Sequence, residues 1–194
     1  MRESIKIRET NETDITVKLN LDGNGEYKID TGINFFNHML EQFAHHAMID
    51  LEIGVNSHDK DNHHVVEDVA ITLGTAIKEA LGDKVGIYRY GEKTLPMDEA
   101  LVLSVVDVSG RIFSKVDVLL KDERTSDFET VLLSHFFSSF AQAAGMTIHI
   151  KMLDGYDTHH IIEAVFKSFA RAFKNAIAYD IDNIDKIPST KGVL

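Results

Sequence analysis

The sequence predicts an α+β fold built from two internally duplicated ββαβα halves, with two mainly antiparallel sheets packed against helices in layers. Three observations carry this expectation. Apolar and polar residues alternate at period 2 over residues 14–21 and 101–108, the pattern of a strand with one buried face. Four longer stretches switch to helical spacing. A pair of histidines followed by a glutamate is written twice, as "HHVVED" from His63 and "HHIIEA" from His159, ninety-six positions apart.

In the first half, Ile15, Val17, Leu19 and Leu21 form the apolar face of a strand. Asp22-Gly23-Asn24-Gly25 then reads as a hairpin turn and residues 26–30 as the returning strand. Residues 33–47 turn helical, with Phe36, Leu40 and Phe43 on the apolar side, and residues 49–55 are again a strand. After a polar loop over 56–62, Val65, Val66, Val69, Leu73, Ala76, Ile77 and Ala80 mark a second helix that stops at Gly82. The second half repeats the order: strand 101–108, turn Ser109-Gly110, strand 111–120, helix 132–144, strand 147–152, and a final helix with Ile161, Ile162, Val165, Phe166, Phe169, Phe173 and Ile177 on its stripe.

His38 in "FFNHML" aligns with His135 in "LLSHFF" at a shift of 97, beside the 96 of the repeated motif. The strand hairpins align at about 87, because residues 121–130 are an extra segment. Residues 83–100, with Gly86, Gly91 and Pro96, read as a surface link. The chain is therefore expected to be one domain over 1–194, made of pseudo-repeats at about 1–90 and 91–194. The end, "KIPSTKGVL", has no periodicity, and its composition alone suggests a frayed tail.

Composition narrows the function. With 194 residues, 44% of them hydrophobic, the chain can bury a full core. A net charge of −11 argues against a nucleic-acid binder, which needs a basic stripe to displace counterions. There is no cysteine, so any metal must be held by histidines and carboxylates. The first residues lack the apolar stretch of a signal peptide, and no run reaches the roughly 18 apolar residues of a membrane span, so a soluble cytoplasmic protein is expected.

Residues four apart share a helix face, so His63 with Glu67 and His159 with Glu163 can each clasp one ion. Adjacent residues point about 100° apart, so His64 and His160 should serve different ions from their neighbours. With His38 and His135 the set becomes six imidazoles and two carboxylates, which divides into two sites of three histidines and one glutamate with positions left open for water or substrate. Such thiolate-free donors suit Mn, Fe, Co or Zn without selecting among them. His38, Gln42, His45 and His46 lie on one face of their helix and add polar groups near the same place.

"RETNET", "GINFFNHMLEQFAHH", "DNHHVVEDVAITLGTAI", "GIYRYG", "PMDEALVLSVVDVSGR", "SHFFSSFAQAAGMTIHI", "THHIIEAVFKSFARA" and "IPSTKGVL" together cover nearly the whole chain. Through these stretches the sequence resembles the imidazoleglycerol-phosphate dehydratase family. The resemblance implies a lyase with two manganese ions per chain, converting imidazole glycerol phosphate to imidazole acetol phosphate and water. It also implies a homo-oligomer, a 24-mer of trimers, with metal sites at subunit contacts. Glu12 in "RETNET" matches the acid/base glutamate, and His46 rather than His45 matches the family histidine; both are candidate catalytic residues and, with His38 and Gln42, candidate substrate contacts. Arg89, Arg111, Ser189, Thr190 and Lys191 match phosphate-binding positions, where a planar guanidinium can grip two phosphate oxygens. Lys167 and Arg124 are further candidates for that task. The departures are small: "AHHAM" stands where the family usually has a serine, a histidine and a glycine, and Arg111 lacks its usual following proline.

Two rival readings remain at this level. A di-metal hydrolase would generally use bridging carboxylates, and this set is rich in imidazole. A metal store built as a ferritin-like bundle would be all-helical, against the alternation at residues 15–21 and 101–108.

Overall fold

Strands begin earlier than the hydrophobic pattern suggests. The computed structural model describes all of residues 1–194. Its first half runs β1 (Glu3–Glu9), β2 (Thr13–Asn20), β3 (Tyr27–Asp30), α1 (Asn34–Ala47), β4 (Asp50–Ser57) and α2 (Asn62–Leu81). The second runs β5 (Tyr90–Met97), β6 (Ala100–Asp107), β7 (Phe113–Asp117), a small pair β8 (Arg124–Thr125) and β9 (Phe128–Glu129), then α3 (Leu132–Ala144), β10 (Thr147–Asp154) and α4 (Thr158–Ile177). The class is the α+β layering expected, with one more strand at the start of each half.

Both added strands hide for physical reasons. In β1 the usual alternation is inverted: Ile5 and Ile7 are 67% and 64% exposed, while Ser4 donates to Glu79, Lys6 pairs with Glu79 and Arg8 with Asp68 on α2. β5 carries Pro96 and Gly91, which a central strand would not tolerate, but it is an edge strand paired only with β6. Gly91 is required there, because a Cβ would lie 1.9 Å from the Ala172 carbonyl oxygen of α4.

The sheet orders are β1-β2-β4-β3 and β5-β6-β10-β7. This corrects the expected hairpins. β3 does not return along β2 but runs parallel to β4, and β7 likewise runs parallel to β10. The chain is led across in both cases: the Asp50 carboxylate accepts from the amides of Asn24 and Glu26, and the Gly110 and Phe113 amides donate to Gly145 and Met146 carbonyls.

The first sheet packs on α1 and α2, the second on α3 and α4, and α1 meets α4 while α2 meets α3, so the helices form the two inner layers. Phe43 of α1 stacks on Phe169 of α4 with ring centroids 5.5 Å apart and meets Phe140 of α3 edge-on at 6.3 Å. Truncating such a ring to alanine costs about 3–5 kcal/mol, which makes this stack a principal fastening between the helical pairs. Where α2 crosses α3, Gly74 leaves no room for a side chain, since a Cβ would stand 2.8 Å from that of Ala143.

Candidate functional site

Each repeated histidine motif sits in the first turn of its helix, a turn earlier than the apolar stripe indicates. Asp61 caps α2 by accepting from the His63 amide at 2.8 Å, and Asp157 caps α4 by accepting from His160 at 3.1 Å. Such caps satisfy amides that otherwise lack partners. Adjacent residues leave the helix about 100° apart, and their rings do not stack: the planes of His63 and His64 are inclined at 86°, those of His159 and His160 at 77°.

Three clusters of potential ligands result; Glu12, Asp59 and His64 form one within the first half, and the other two each draw on both halves. His38 of α1 joins His159 and Glu163 of α4, and His135 of α3 joins His63 and Glu67 of α2, with the potential ligand atoms of each trio within 4.8 Å of one another. In the first, Glu163 Oε2 is 3.2 Å from His159 Nε2 and 3.5 Å from His38 Nε2. In the second, Glu67 Oε2 is 3.8 Å from His63 Nε2 and 3.6 Å from His135 Nε2.

The donors fit a cation. His135 Nε2 is buried with no hydrogen-bond partner, a cost a protein rarely leaves uncompensated, and it points at a carboxylate and a second imidazole. Burial pushes the Glu163 carboxyl up, yet Lys167, whose Nζ is 2.6 Å away, together with His38 and His159 holds it below its ordinary value. The imidazole and carboxylate set suits a divalent transition ion.

His64 and His160 lie outside the two mixed-half trios. His64 Nδ1 is 2.6 Å from Asp59 and His160 Nδ1 is 2.8 Å from Glu99, which leaves each Nε2 available. Those carboxylates raise the pKa of both rings, and His160 with the Asp157 amide lowers Glu99 to about 2. Asp59 and Glu99 were not singled out from sequence. Each is an ordinary acid in a polar stretch, and no spacing rule links it to a histidine 5 or 61 positions away.

Glu12 is exposed in the turn between β1 and β2, its Oε1 3.7 Å from His64 Nε2. Gln42 and His46 follow His38 along one face of α1. Burial, with Arg171 and Lys167 nearby, lowers the His46 pKa, and its Nδ1 is unpartnered. His45 is exposed.

The cationic residues gather elsewhere. Arg89 is 7% exposed; its Nε donates to Asp107 at 2.7 Å and its Nη1 to the Pro188 carbonyl at 2.8 Å, which ties the tail to it. Arg111 also reaches Asp107, at 3.2 Å, and is largely exposed. Ser189, Thr190 and Lys191 follow in a turn closed by the Gly192 amide donating to Ser189. Lys167 is not in this group, being held on Glu163, and Arg124 is paired with Glu129.

Twinned sheets around four helices and two imidazole–carboxylate centres at the helix starts define an α+β enzyme with paired polar centres. The family model described as imidazoleglycerol-phosphate dehydratase matches residues 31–173. The chain is 50% identical over 188 residues to the imidazoleglycerol-phosphate dehydratase of Desulforamulus reducens, covering 96% of this chain and 95% of that one. It is also 50% identical to that of Caldanaerobacter subterraneus subsp. tengcongensis over the full length of both. A solved dehydratase of this kind from Staphylococcus aureus superposes with a TM-score of 0.83 at 36% identity, covering 91% of this chain and 99% of that chain. One from Pyrococcus furiosus gives 0.85 at 38%, covering 97% and 100%.

The chain belongs to the imidazoleglycerol-phosphate dehydratase family. It is a carbon–oxygen lyase acting on a small phosphorylated molecule in histidine biosynthesis. No helix is long and apolar enough to cross a membrane.

Proposed function

We propose that the chain is a metal-dependent, cytoplasmic dehydratase that converts D-erythro-imidazole-glycerol phosphate to imidazole-acetol phosphate using two divalent ions per chain, manganese by preference. The observation that carries this reading is the pair of mixed-half clusters, His38–His159–Glu163 and His63–Glu67–His135, with a buried unpartnered nitrogen on His135. His64 and His160, whose Nε2 atoms are left available, would complete the two ligand sets. The whole is read as one domain of two pseudo-repeats, about 1–90 and 91–194, supported by the matching sheet orders.

When bound, such ions supply Lewis-acid polarisation and a template for the imidazole ring. The chain's own groups do the rest. Glu12, which matches the family's acid/base glutamate and whose Oε1 lies 3.7 Å from His64 Nε2, moves the carbon-bound proton. His46, whose pKa is lowered by its partly buried setting and by Arg171 and Lys167 nearby, and Gln42 line the approach along α1, with His38 at the same face. Arg89, Arg111, Ser189, Thr190 and Lys191 take the phosphate, while Lys167 orients Glu163, 2.6 Å away.

This division supports a homo-oligomer. The His motifs lie at the first turns of α2 and α4, whereas Arg89 donates its amide to Ala176 at the far end of α4 and Gly110 bonds to Gly145 just past α3. The seventeen helical steps from His159 to Ala176 span on the order of 25 Å, far more than a three-carbon phosphate tail. In this reading the phosphate-binding residues of one chain serve the metal centre of another, as in a 24-mer of trimers. Val131 and Leu119, 72% and 71% exposed, and Ile112 and Phe113, 60% and 49%, offer apolar surface for such contacts.

The test is dehydration of imidazole glycerol phosphate by chelator-stripped protein before and after manganese is restored. Ketone product that depends on metal supports the reading; free phosphate would favour a hydrolase, and metal-independent turnover would remove the ions from the mechanism.

A further inference from the structure

We propose that Asp68 is a positioning residue for the dehydration, anchoring the turn of residues 10–13 so that Glu12 is held over His64. The inference rests on reading Glu12 as the proton-moving carboxylate.

Asp68 follows His64 by four residues on α2, so the two share one helix face, a turn apart. It is 4% exposed, and both of its oxygens are engaged. Oδ2 accepts from the Thr13 hydroxyl at 2.5 Å and, more weakly, from the Thr10 hydroxyl at 3.5 Å. Oδ1 accepts from Arg8 Nε at 3.0 Å and lies 2.9 Å from Arg8 Nη2. Thr13 is itself fully buried. The Thr10 hydroxyl accepts the Glu12 and Thr13 amides at 3.1 and 3.0 Å. Glu12 is therefore suspended from Thr10 and Thr13, and these from Asp68.

The consequence is that one rigid helix carries His63, His64 and Glu67 and also the anchor of the turn that presents Glu12. The distance from proton-moving group to metal ligands is fixed within a single body. Stability alone explains such a residue poorly: a buried ion pair is often no better than apolar packing of the same volume. Holding a reacting carboxylate in place does explain it, since a displacement of about 1 Å can cost roughly a hundredfold in rate.

The test uses metal-loaded protein. Thr13→Val removes the anchoring hydroxyl at nearly constant shape, and Thr13→Ser retains it. Thr13→Val should lower kcat at least about tenfold with KM and bound metal unchanged, whereas Thr13→Ser and wild type should match. In a Glu12→Gln background, Thr13→Val should cause no further loss, because the group it positions is already disabled. Unchanged kcat in Thr13→Val, an equal loss in both backgrounds, or a loss that tracks reduced metal content would each overturn the positioning role. Wild-type kcat in Glu12→Gln alone would instead overturn the reading of Glu12, and the positioning role with it.

Discussion

Glu67 and His135 face each other at 3.6 Å although they come from different halves of the chain, and Glu163 and His38 repeat the relationship at 3.5 Å. The packing of α2 on α3 and of α1 on α4 creates both pairs. Neither half can assemble either centre alone. Packing of the interface between halves thus assembles both clusters, and a divalent ion bound there should stabilise the folded chain.

Removing a crossing ligand tests that link. His135→Ala should lose about one bound ion per chain and lower turnover at least about a hundredfold, as should His38→Ala at the other centre. Elemental analysis and a dehydration assay on the same samples decide it; full metal content in both variants would contradict the scheme.

Glu99 holds His160 Nδ1 at 2.8 Å, which leaves Nε2 for a ligand role. Glu99→Gln should weaken manganese affinity about 10- to 100-fold, the usual cost of losing a partner that orients a ligand. Competition with a fluorescent chelator would measure this, with circular dichroism verifying an intact fold.

The helices were legible in the sequence because the 3.6-residue stripe survives burial; Val66, Val69, Leu73 and Ile77 are all fully buried. β1 was not legible, because Ile5 and Ile7 point outward and Ser4, Lys6 and Arg8 face a helix. Pairing of β3 with β4 escaped notice because it depends on Asp50 drawing the loop across, a contact 24 to 26 positions away in the chain. The residue types of the candidate clusters were readable from HHxxE at helical spacing. Their partition was not, since repeat alignment matches equivalent positions in the two halves and says nothing of which half packs on which.

Asp127, in the inserted segment, caps α1 by accepting from the Asn34 and Phe35 amides at 2.7 and 2.9 Å. Burial raises its carboxyl, but these amides and the Asn34 side chain outweigh it, and its pKa lies below the ordinary 3.8. The stabilisation is therefore present above the unfolded value and is lost as pH falls through the lower folded one. Asp127→Ala should cost about 1 kcal/mol at pH 7, and the gap to wild type should close on acidification below 3.8. Thermal melts across pH would show it; a gap that widens in acid would reverse the sign.

The tail, tied to Arg89 through the Pro188 carbonyl, should act as an ordered phosphate clamp in the substrate complex. Lys191→Ala should raise KM strongly while metal content stays constant, since the phosphate is remote from the bond that breaks. Glu12→Gln should show the opposite balance, with kcat falling most. Wild-type kinetics from a chain ending at Ile187 would leave the phosphate to Arg89 and Arg111.

The most direct measurement of the central claim is an anomalous difference map from crystals of the manganese-loaded protein, recorded at the manganese absorption edge. Two peaks per chain should appear, one against His38, His159 and Glu163 and one against His63, Glu67 and His135. A single peak, or peaks away from both trios, would contradict the assignment of two ion centres built across the halves.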